Sequence, residues 1–490
     1  MGTSKGLAYS SGAGRWVIAA TVLGSGMAMI DSTVVGIALP TIGRNFTATI
    51  GTLQWVVTGY TLTLAALLLL GGSLGDRFGR RRVFCTGVIW FAVSSAACAL
   101  APDSNALIVA RVVQGIGGAL LTPGSLAILQ ASFSPEDRGS AIGAWSGLGG
   151  LAAAAGPLLG GYLIAAASWR WIFFINIPIA ALVLVISVKH VPESRDPNAS
   201  RRTDVTGAGL GMVFLAGLAY GLIEGPARGF SSPTVLAVAL SAGVAFVLVE
   251  RAATAPMLPL GLFGARQFSV TNGVTLIVYA ALGGGLFLLP VELQVVNHYS
   301  PFEAGASLIP LTVVMLLGSA RSGRLATRIG PRLQMGLGPV VVGAGLALLI
   351  RSTVSSSYVA GVLPAVLVFG LGLVITVAPL TTTALAAAPA ENAGIASAVN
   401  NYVARVGSLL AVAVLPALAG ISGKSYAHAH ELSQGFRKAM IMTAALCVLG
   451  GIIAAIGIRN PAPESPGHGG ADVPGPNYCA LDAPPLSNET

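Results

Sequence analysis

Charged residues are scarce in this chain. Asp, Glu, Lys and Arg make up 9% of its 490 residues, against about a quarter in soluble domains. A water-soluble protein of this length needs far more charge to cover its surface, so the composition excludes one. The hydrophobic share of 54% indicates a lipid-facing exterior, and the length allows at most about 17 membrane spans.

Cysteine and histidine are also rare, with four Cys and five His. No metal-ligand spacing or disulfide framework is present, and His428 and His430 form a pair without a third ligand, so we predict no metal site. The formal net charge of +9 would suggest nucleic acid in a soluble protein. In a membrane protein, basic residues follow topology instead. We therefore expect no nucleic-acid partner.

Apolar runs separated by charged or Pro/Gly-rich breaks predict fourteen membrane helices. The runs cover 15–39, 54–74, 83–101, 105–131, 139–165, 171–190, 204–223, 234–252, 268–291, 303–321, 333–350, 357–380, 392–420 and 436–458. If the N-terminus is inside, most of the 27 Lys and Arg fall in cytoplasmic segments, which predicts that both termini are cytoplasmic. The Pro-, Gly- and Ser-rich residues 459–490 predict a disordered cytoplasmic tail.

An internal repeat relates the two halves of the chain. GSLGDRFGRR at 72–81 recurs as GRLATRIGPR at 323–332, and Arg15 and Arg266 have the same spacing. We predict two six-helix halves, 1–190 and 253–458, joined by 191–252, a linker with two inserted membrane helices. Such halves place the substrate site at their interface near mid-membrane. A chance likeness between two cytoplasmic hairpins is the alternative.

The loop after the second run, GSLGDRFGRRR at 72–82, combines small residues for a tight turn, one acid and a group of arginines. It resembles the motif between helices 2 and 3 of the major facilitator superfamily. The resemblance implies a cytoplasmic gating loop, made of Gly72, Asp76, Arg77, Gly79, Arg80 and Arg81. In the second copy Thr327 replaces the acid, which leaves open whether that loop gates.

Further stretches strengthen the resemblance. RVVQGIGGA at 111–119 is similar to the family's fourth-helix motif, and 147–161 resembles its fifth-helix antiporter motif. MIDSTVVGIALP at 29–40 and WRWIFFINIP at 169–178 resemble signatures of the fourteen-helix drug:proton antiporter branch. The implied structure is an all-α, polytopic membrane protein with the major-facilitator fold and 14 transmembrane helices.

Small residues dominate the antiporter motif, where they let a neighbouring helix approach closely, and its proline bends the helix. The residues concerned are Gly149, Gly156, Pro157, Gly160 and Gly161. The resemblance implies a seal that prevents leak and favours exchange. A merely well-packed glycine-rich helix is the alternative.

Charged side chains inside the spans are costly in hydrocarbon and so point to mechanism. At 1.5 Å per residue, Asp31 lies roughly 24 Å from the inner boundary, Arg111 about 21 Å and Arg405 roughly 20 Å. Burial disfavours a charged Asp31 whereas a nearby Arg111 favours it, so the carboxyl group can exchange protons. Our hypothesis is that Asp31 binds a proton or a cationic substrate group, with Arg111 and Arg405 tuning its affinity. A fixed Asp31–Arg111 structural pair is the alternative.

Other polar residues are weaker candidates. Glu224 and Glu292 end their helices near the outer rim, where they are either second proton sites or solvated acids. Gln114, Asn400 and Asn401 are candidates to line the cavity, with polar helix–helix contact as the alternative.

No energy-coupling or catalytic domain is evident. GISGKS at 420–425 resembles a phosphate-binding loop, but Leu418 stands where that loop needs glycine. We therefore predict a non-enzymatic transporter without cofactors, driven by the proton gradient. It would act as a monomer in a bacterial plasma membrane and exchange protons for small amphipathic or cationic compounds such as drugs or antibiotics. The alternatives are an exporter of one endogenous metabolite or lipid, and a non-transporting sensor or scaffold.

Overall fold

The computed structural model describes residues 6–197, 204–228, 233–253, 256, 258–352, 357–388 and 393–460. Helices account for most of these residues. They are α1 (Gly12–Phe46), α2 (Ile50–Phe78), α3 (Arg80–Ala99), α4 (Ser104–Ser132), α5 (Pro135–Ala166), α6 (Trp171–Phe174), α7 (Asn176–His190), α8 (Val205–Arg228), α9 (Pro233–Ala252), α10 (Arg266–Val295), α11 (Pro301–Ala306), α12 (Ile309–Ile329), α13 (Pro331–Leu348), α14 (Leu363–Ala386), α15 (Ala393–Leu418) and α16 (Ala429–Gly457).

Within the described ranges, 14 helical segments are long and apolar enough to cross a membrane. The predicted number of spans is confirmed. Two spans contain a break: α6 and α7 together form Trp171–His190, and α11 continues into α12 over Pro301–Ser319. Large apolar side chains such as Val93 and Leu418 are exposed on the outer surface, as lipid contact requires. The chain is a polytopic all-α membrane protein.

Several helices extend beyond the predicted runs, including α12, which ends at Ile329 rather than 321, and α14, which ends at Ala386 rather than 380. Helix α1 does not end with the predicted run at 39 but continues through Pro40 to Phe46. A proline removes one backbone donor, and packed neighbours in a membrane bundle tolerate that loss. Helix α16 begins at Ala429, before the predicted start at 436, because its first two turns are polar and extend beyond the apolar run.

The bundle has two distinct ends. We call the end that carries the loop 77–82 the arginine end, and the end that carries the connections 47–49 and 419–428 the distal end. Because successive spans alternate in direction, Arg332 and the end of α16 also lie at the arginine end. There Asn460 Oδ1 accepts a hydrogen bond from the Arg332 backbone, 3.0 Å away.

Two groups of helices make up most of the bundle. Helices α1–α7 pack on one another, with α4 against α2 and α3, and with α1 against α5. Helices α10–α16 do the same, with α13 against α14 and α16, and α10 against α15 and α16. The main contacts between the groups join α5 to α11 and α2 to α15. The site described below lies within the first group, beside this seam.

The inserted pair, α8 and α9, lies beside the seam. Helix α8 packs on α9, α2 and α15, and Trp55 Nε1 on α2 donates to Glu224 Oε1 on α8 at 3.1 Å. The division into units 1–190, 191–252 and 253–458 stays a prediction. The tail lies outside the described residues from position 461 onward.

Hydrogen bonds close the distal end between the two groups. They run from Gln54 Nε2 to the Val412 carbonyl (2.6 Å), from Gln294 Nε2 to the Ile37 carbonyl (2.8 Å), from the Ile50 N–H to the Gly423 carbonyl (2.8 Å), and from Tyr426 Oη to the Ala48 carbonyl (3.0 Å). Burial raises the pKa of the Tyr426 hydroxyl above its ordinary value, so this group stays protonated and able to donate. In this conformation hydrogen bonds therefore join the two groups at the distal end.

Candidate functional site

Asp31 lies in α1 with 1% of its surface exposed. Its Oδ2 accepts from Arg111 Nη1 at 2.5 Å. Its Oδ1 accepts from Gln114 Nε2 at 3.0 Å and from Asn176 Nδ2 at 3.4 Å. A carboxylate this deep is stable only when a cation and further donors compensate its charge. The structure therefore brings Asp31 and Arg111 into direct contact, and these are the two side chains that the rise per residue placed at a similar depth in the membrane.

Arg111 is held from three sides. Its Nε donates to the Val56 carbonyl of α2 at 3.1 Å, and its Nη1 also donates to Gln114 Oε1 at 2.6 Å. The guanidinium carbon lies 4.3 Å from the ring centroid of Tyr60. A cation over an aromatic face is attracted by the ring, and more so when water is excluded. Arg111 thus keeps acceptors even when Asp31 gives none.

Side chains from α3 and α7 complete the cluster. Ser95 Oγ accepts from Asn176 Nδ2 at 2.9 Å and from Gln114 Nε2 at 3.2 Å, and it donates to the Phe173 carbonyl at 3.0 Å. Gln114 is fully buried, so in this conformation it belongs to the network and lines no open cavity. We call Asp31, Ser95, Arg111, Gln114 and Asn176 the polar cluster.

Sequence reasoning missed two members of this cluster, Ser95 and Asn176. Asn176 stands in the quoted stretch 169–178 as a single amide within an apolar run, which was a usable signal. Ser95 gave none, since serines are frequent in membrane helices and usually bond their own backbone.

Arg405 lies outside the polar cluster. Its electrostatic neighbours are Tyr60 and Tyr279, not Asp31. Tyr60 therefore lies between the two deep arginines, since its ring also contacts Arg111.

The two predicted rim acids differ in their surroundings. Glu224 accepts a hydrogen bond from Trp55 and is half-buried. Glu292 is fully buried near the distal end of α10, and neither of its carboxyl oxygens has a hydrogen-bond partner within the described residues. Helix α16, which begins earlier than predicted, brings Ser433 close to Glu292. Glu292 is therefore not a solvated rim acid.

The asparagine pair on α15 is divided between two environments. Asn400 is buried and its Nδ2 donates to Thr275 Oγ1 at 2.8 Å and to Asn272 Oδ1 at 3.1 Å, both on α10. Asn401 is exposed and bonds the Ser397 carbonyl of its own helix. Asn400 thus makes the polar helix–helix contact that the sequence left open.

The loop at the arginine end is fixed by the segment that follows α7. Asp76 Oδ1 accepts from Arg80 Nε at 2.8 Å. Glu193 Oε1 accepts from the Arg81 backbone at 3.1 Å, and the Arg81 and Arg82 guanidinium groups lie within 3.8 Å of the other Glu193 oxygen. Glu193 was not predicted, because nothing local shows that residues 191–196 fold back onto this loop.

Gly79→Ala should destabilise the protein. Gly79 has φ +116°, and a Cβ there would lie 2.8 Å from Glu193 Oε1. Backbone strain and the clash together should lower the free energy of unfolding by about 1–3 kcal/mol. Gly72→Ala is the matched control, since its nearest neighbour would be Pro123 Cβ at 3.6 Å. Thermal unfolding of the purified variants compares them, and equal melting temperatures would contradict the assignment.

The predicted antiporter motif packs along α1 and α11. A Cβ at Gly149 or Gly160 would lie 3.3 Å from Met29 Sδ or 2.8 Å from Val34 Cγ1 on α1. One at Gly161 would lie 2.8 Å from Phe302 Cα on α11. Gly156 similarly faces Thr33 and Ile30, and the Pro157 carbonyl faces Gly305. The motif therefore packs closely against α1, mainly through side chains, and against the backbone of α11.

The fourteen candidate spans of the described residues, with a buried ion pair among the first of them, define a polytopic membrane protein with a polar intramembrane site. Residues 21–412 match the Major Facilitator Superfamily. The chain is 39% identical to a tetracenomycin C resistance and export protein of Streptomyces glaucescens, over 81% of this chain and 74% of that protein. It is 36% identical to a methylenomycin A resistance protein of Bacillus subtilis (strain 168), over 86% of this chain and 91% of that protein.

A solved structure has the same fold. It is a bacterial homologue of the human lysosomal transporter Spinster, in an inward-facing and unoccupied conformation, with a TM-score of 0.66, 16% identity, and coverage of 91% of this chain and 97% of that one. The chain belongs to the Major Facilitator Superfamily, a family of transporters rather than enzymes.

Proposed function

We propose that this protein exports small amphipathic compounds in exchange for protons. The observation that carries the proposal is the polar cluster, in which one carboxylate and one guanidinium are both 1% exposed in the middle of the spans. Protonation of Asp31 would remove the negative charge that holds Arg111, while Gln114 and the Val56 carbonyl still accept from it. The cluster thus has a second arrangement available without leaving a buried cation unbonded.

Alternating access would join this proton site to transport. In our assignment the arginine end is cytoplasmic, because short loops rich in arginine resist translocation. The distal end is then extracellular, and its closed hydrogen bonds correspond to an inward-facing state. Opening of the distal end would expose Asp31 to the more acidic outside, and the reverse motion would release the proton inside.

The relatives support a drug-like substrate. The two named above are described as resistance or export proteins for tetracenomycin C and methylenomycin A. The chain covers most of each of them. We therefore assign antibiotics and similar small compounds as the substrate class.

The remaining partners follow from this proposal. The proton gradient is the energy source and no cofactor takes part. The protein acts as a monomer in a bacterial plasma membrane, with both termini in the cytoplasm. An exporter of a single endogenous metabolite or lipid is the second candidate, and the similarity to proteins named for single antibiotics favours it over a sensor.

Transport by the reconstituted full chain tests the function. Proteoliposomes with an acidic interior would be given rhodamine 123, ethidium or fluorescein, and internal dye and pH recorded together. We expect at least one dye to accumulate while the interior loses protons. Accumulation of a single compound in a wider panel would favour the endogenous exporter, and no substrate-dependent proton flux with any compound would refute the proposal.

A further inference from the structure

Arg405 is a deep cation that the polar cluster does not use. It lies near the middle of α15, and its guanidinium is surrounded by protein. Its Nε is inaccessible and has no hydrogen-bond partner in the described part of the chain. The side chain nevertheless keeps part of its surface accessible. Helix α15 packs on α10, α14 and α2, so Arg405 lies on a helix that contacts both groups.

The groups close to Arg405 are hydroxyls rather than carboxylates. It interacts electrostatically with Tyr60 on α2 and Tyr279 on α10. Arg111, in contrast, has a carboxylate, an amide oxygen and a backbone carbonyl as acceptors. A guanidinium has five N–H donors and no acceptor, so an unpaired one inside a membrane protein is costly to maintain. Such a group indicates that an acceptor binds there during the transport cycle.

The position of Arg405 suits a substrate. Tyr60 belongs to the first group of helices, whereas Arg405 and Tyr279 belong to the second. A ligand between them would contact both groups at the seam where they must separate. It would also contact the tyrosine whose ring holds Arg111, and so reach the proton site through one side chain.

We propose that Arg405, with the hydroxyls of Tyr60 and Tyr279, binds an anionic oxygen group of the substrate, such as a carboxylate or an ionised phenol. This proposal rests on the proposed export function and narrows its substrate class to amphipathic anions. Guanidinium groups bind carboxylates through two parallel hydrogen bonds, and tyrosine hydroxyls add further donors.

A cationic substrate fits this conformation less well. The carboxylate at the depth of Arg405, Asp31, already accepts hydrogen bonds from Arg111, Gln114 and Asn176. Arg405 adds an uncompensated positive charge beside Tyr60. It would repel a cationic substrate strongly, because like charges repel strongly at low dielectric.

Binding to the purified full chain in lipid nanodiscs tests the proposal. The probes are fluorescein, an anion, and rhodamine 123, a cation with the same xanthene skeleton. We expect the wild type to bind fluorescein more tightly, and Arg405→Gln to weaken that binding by about tenfold or more without weakening rhodamine 123 binding. Arg405→Lys should retain most of the affinity because it keeps the charge. Arg351→Gln, at an exposed arginine at the distal end, is the control and should change neither.

Stability separates a binding role from a structural one. Removal of an unpaired buried charge should leave the melting temperature of Arg405→Gln unchanged or raise it, whereas loss of a structural contact would lower it. Failure of the wild type to bind fluorescein, tighter binding of the cation, or equal weakening of both dyes would each overturn the proposal. Failure of the export function is a different result, namely bound dye without any gradient-driven flux in proteoliposomes.

Discussion

Asp31→Asn should abolish transport driven by a pH gradient while preserving exchange of substrate without one. Asparagine has the same shape as aspartate but cannot bind and release the coupling proton. Substrate exchange across a membrane without a gradient needs only the conformational change. We expect gradient-driven uptake in proteoliposomes to fall about a hundredfold, near the upper limit of the range that coupling free energies of 1–3 kcal/mol give. Counterflow of a preloaded substrate should remain measurable.

The same substitution should lower stability, which a second variant separates from coupling. Asp31→Asn leaves Arg111 its Val56 and Gln114 acceptors but removes its counter-charge, and removal of one partner of a buried pair costs up to about 3–5 kcal/mol. The double variant Asp31→Asn/Arg111→Gln removes both charges and should recover most of the melting temperature. It should not recover gradient-driven transport.

Asp103→Asn is the matched control for the loss of one carboxylate. Asp103 caps α4 by accepting from the Ala106 backbone at 2.9 Å, and asparagine caps a helix equally well. Transport and stability should both stay at the wild-type level. Gradient-driven accumulation by a well-folded Asp31→Asn protein would refute proton coupling at this residue.

The depth of a residue in the bundle could be predicted from the sequence, whereas its rotation about the helix axis could not. A fixed rise per residue places Asp31 and Arg111 level, and the structure joins them directly. Whether Asn176 or Ser95 also faces them depends on how α7 and α3 rotate against α1. Packing of many side chains decides that rotation, and no local pattern reports it.

Segments that return to a distant part of the chain were the least predictable. Glu193 contacts the arginines of the 72–82 loop because residues 191–196 fold back beneath α3. The early start of α16 at Ala429 brings Ser433 close to Glu292, which the apolar run does not indicate. Hydropathy marks the part of a helix in hydrocarbon and misses the polar turns beyond it.

The contact between α5 and α11 should control closure of the distal end. A Cβ at Gly161 would lie 2.8 Å from Phe302 Cα, and one at Gly305 would lie 2.7 Å from the Pro157 carbonyl carbon. These neighbours are backbone atoms, which cannot rotate away as a side chain does. A larger residue at Gly161 should therefore disfavour the closed distal end.

Gly161→Leu should leave the protein open at the distal end and largely inactive. Overpacking costs about 1–3 kcal/mol, which shifts a two-state equilibrium about 5- to 150-fold. Gln294→Cys, in a background without native cysteines, reports the opening, because Gln294 is 6% exposed and bonded to Ile37 when this end is closed. A membrane-impermeant thiol reagent should label this cysteine at least about tenfold faster in Gly161→Leu than in its parent.

Gly150→Leu is the control on the same helix, since a Cβ there would have no neighbour within 4 Å. The Gln294→Cys thiol should be labelled slowly in this variant, and transport should be normal. That result would show that a larger side chain alone does not disturb α5. Equal labelling of the two leucine variants would mean that the glycine motif is a packed surface rather than a seal. Fast labelling of Gly161→Leu alone, with transport lost, would place the motif in the closing step itself, because the substrate site would then open to one side only.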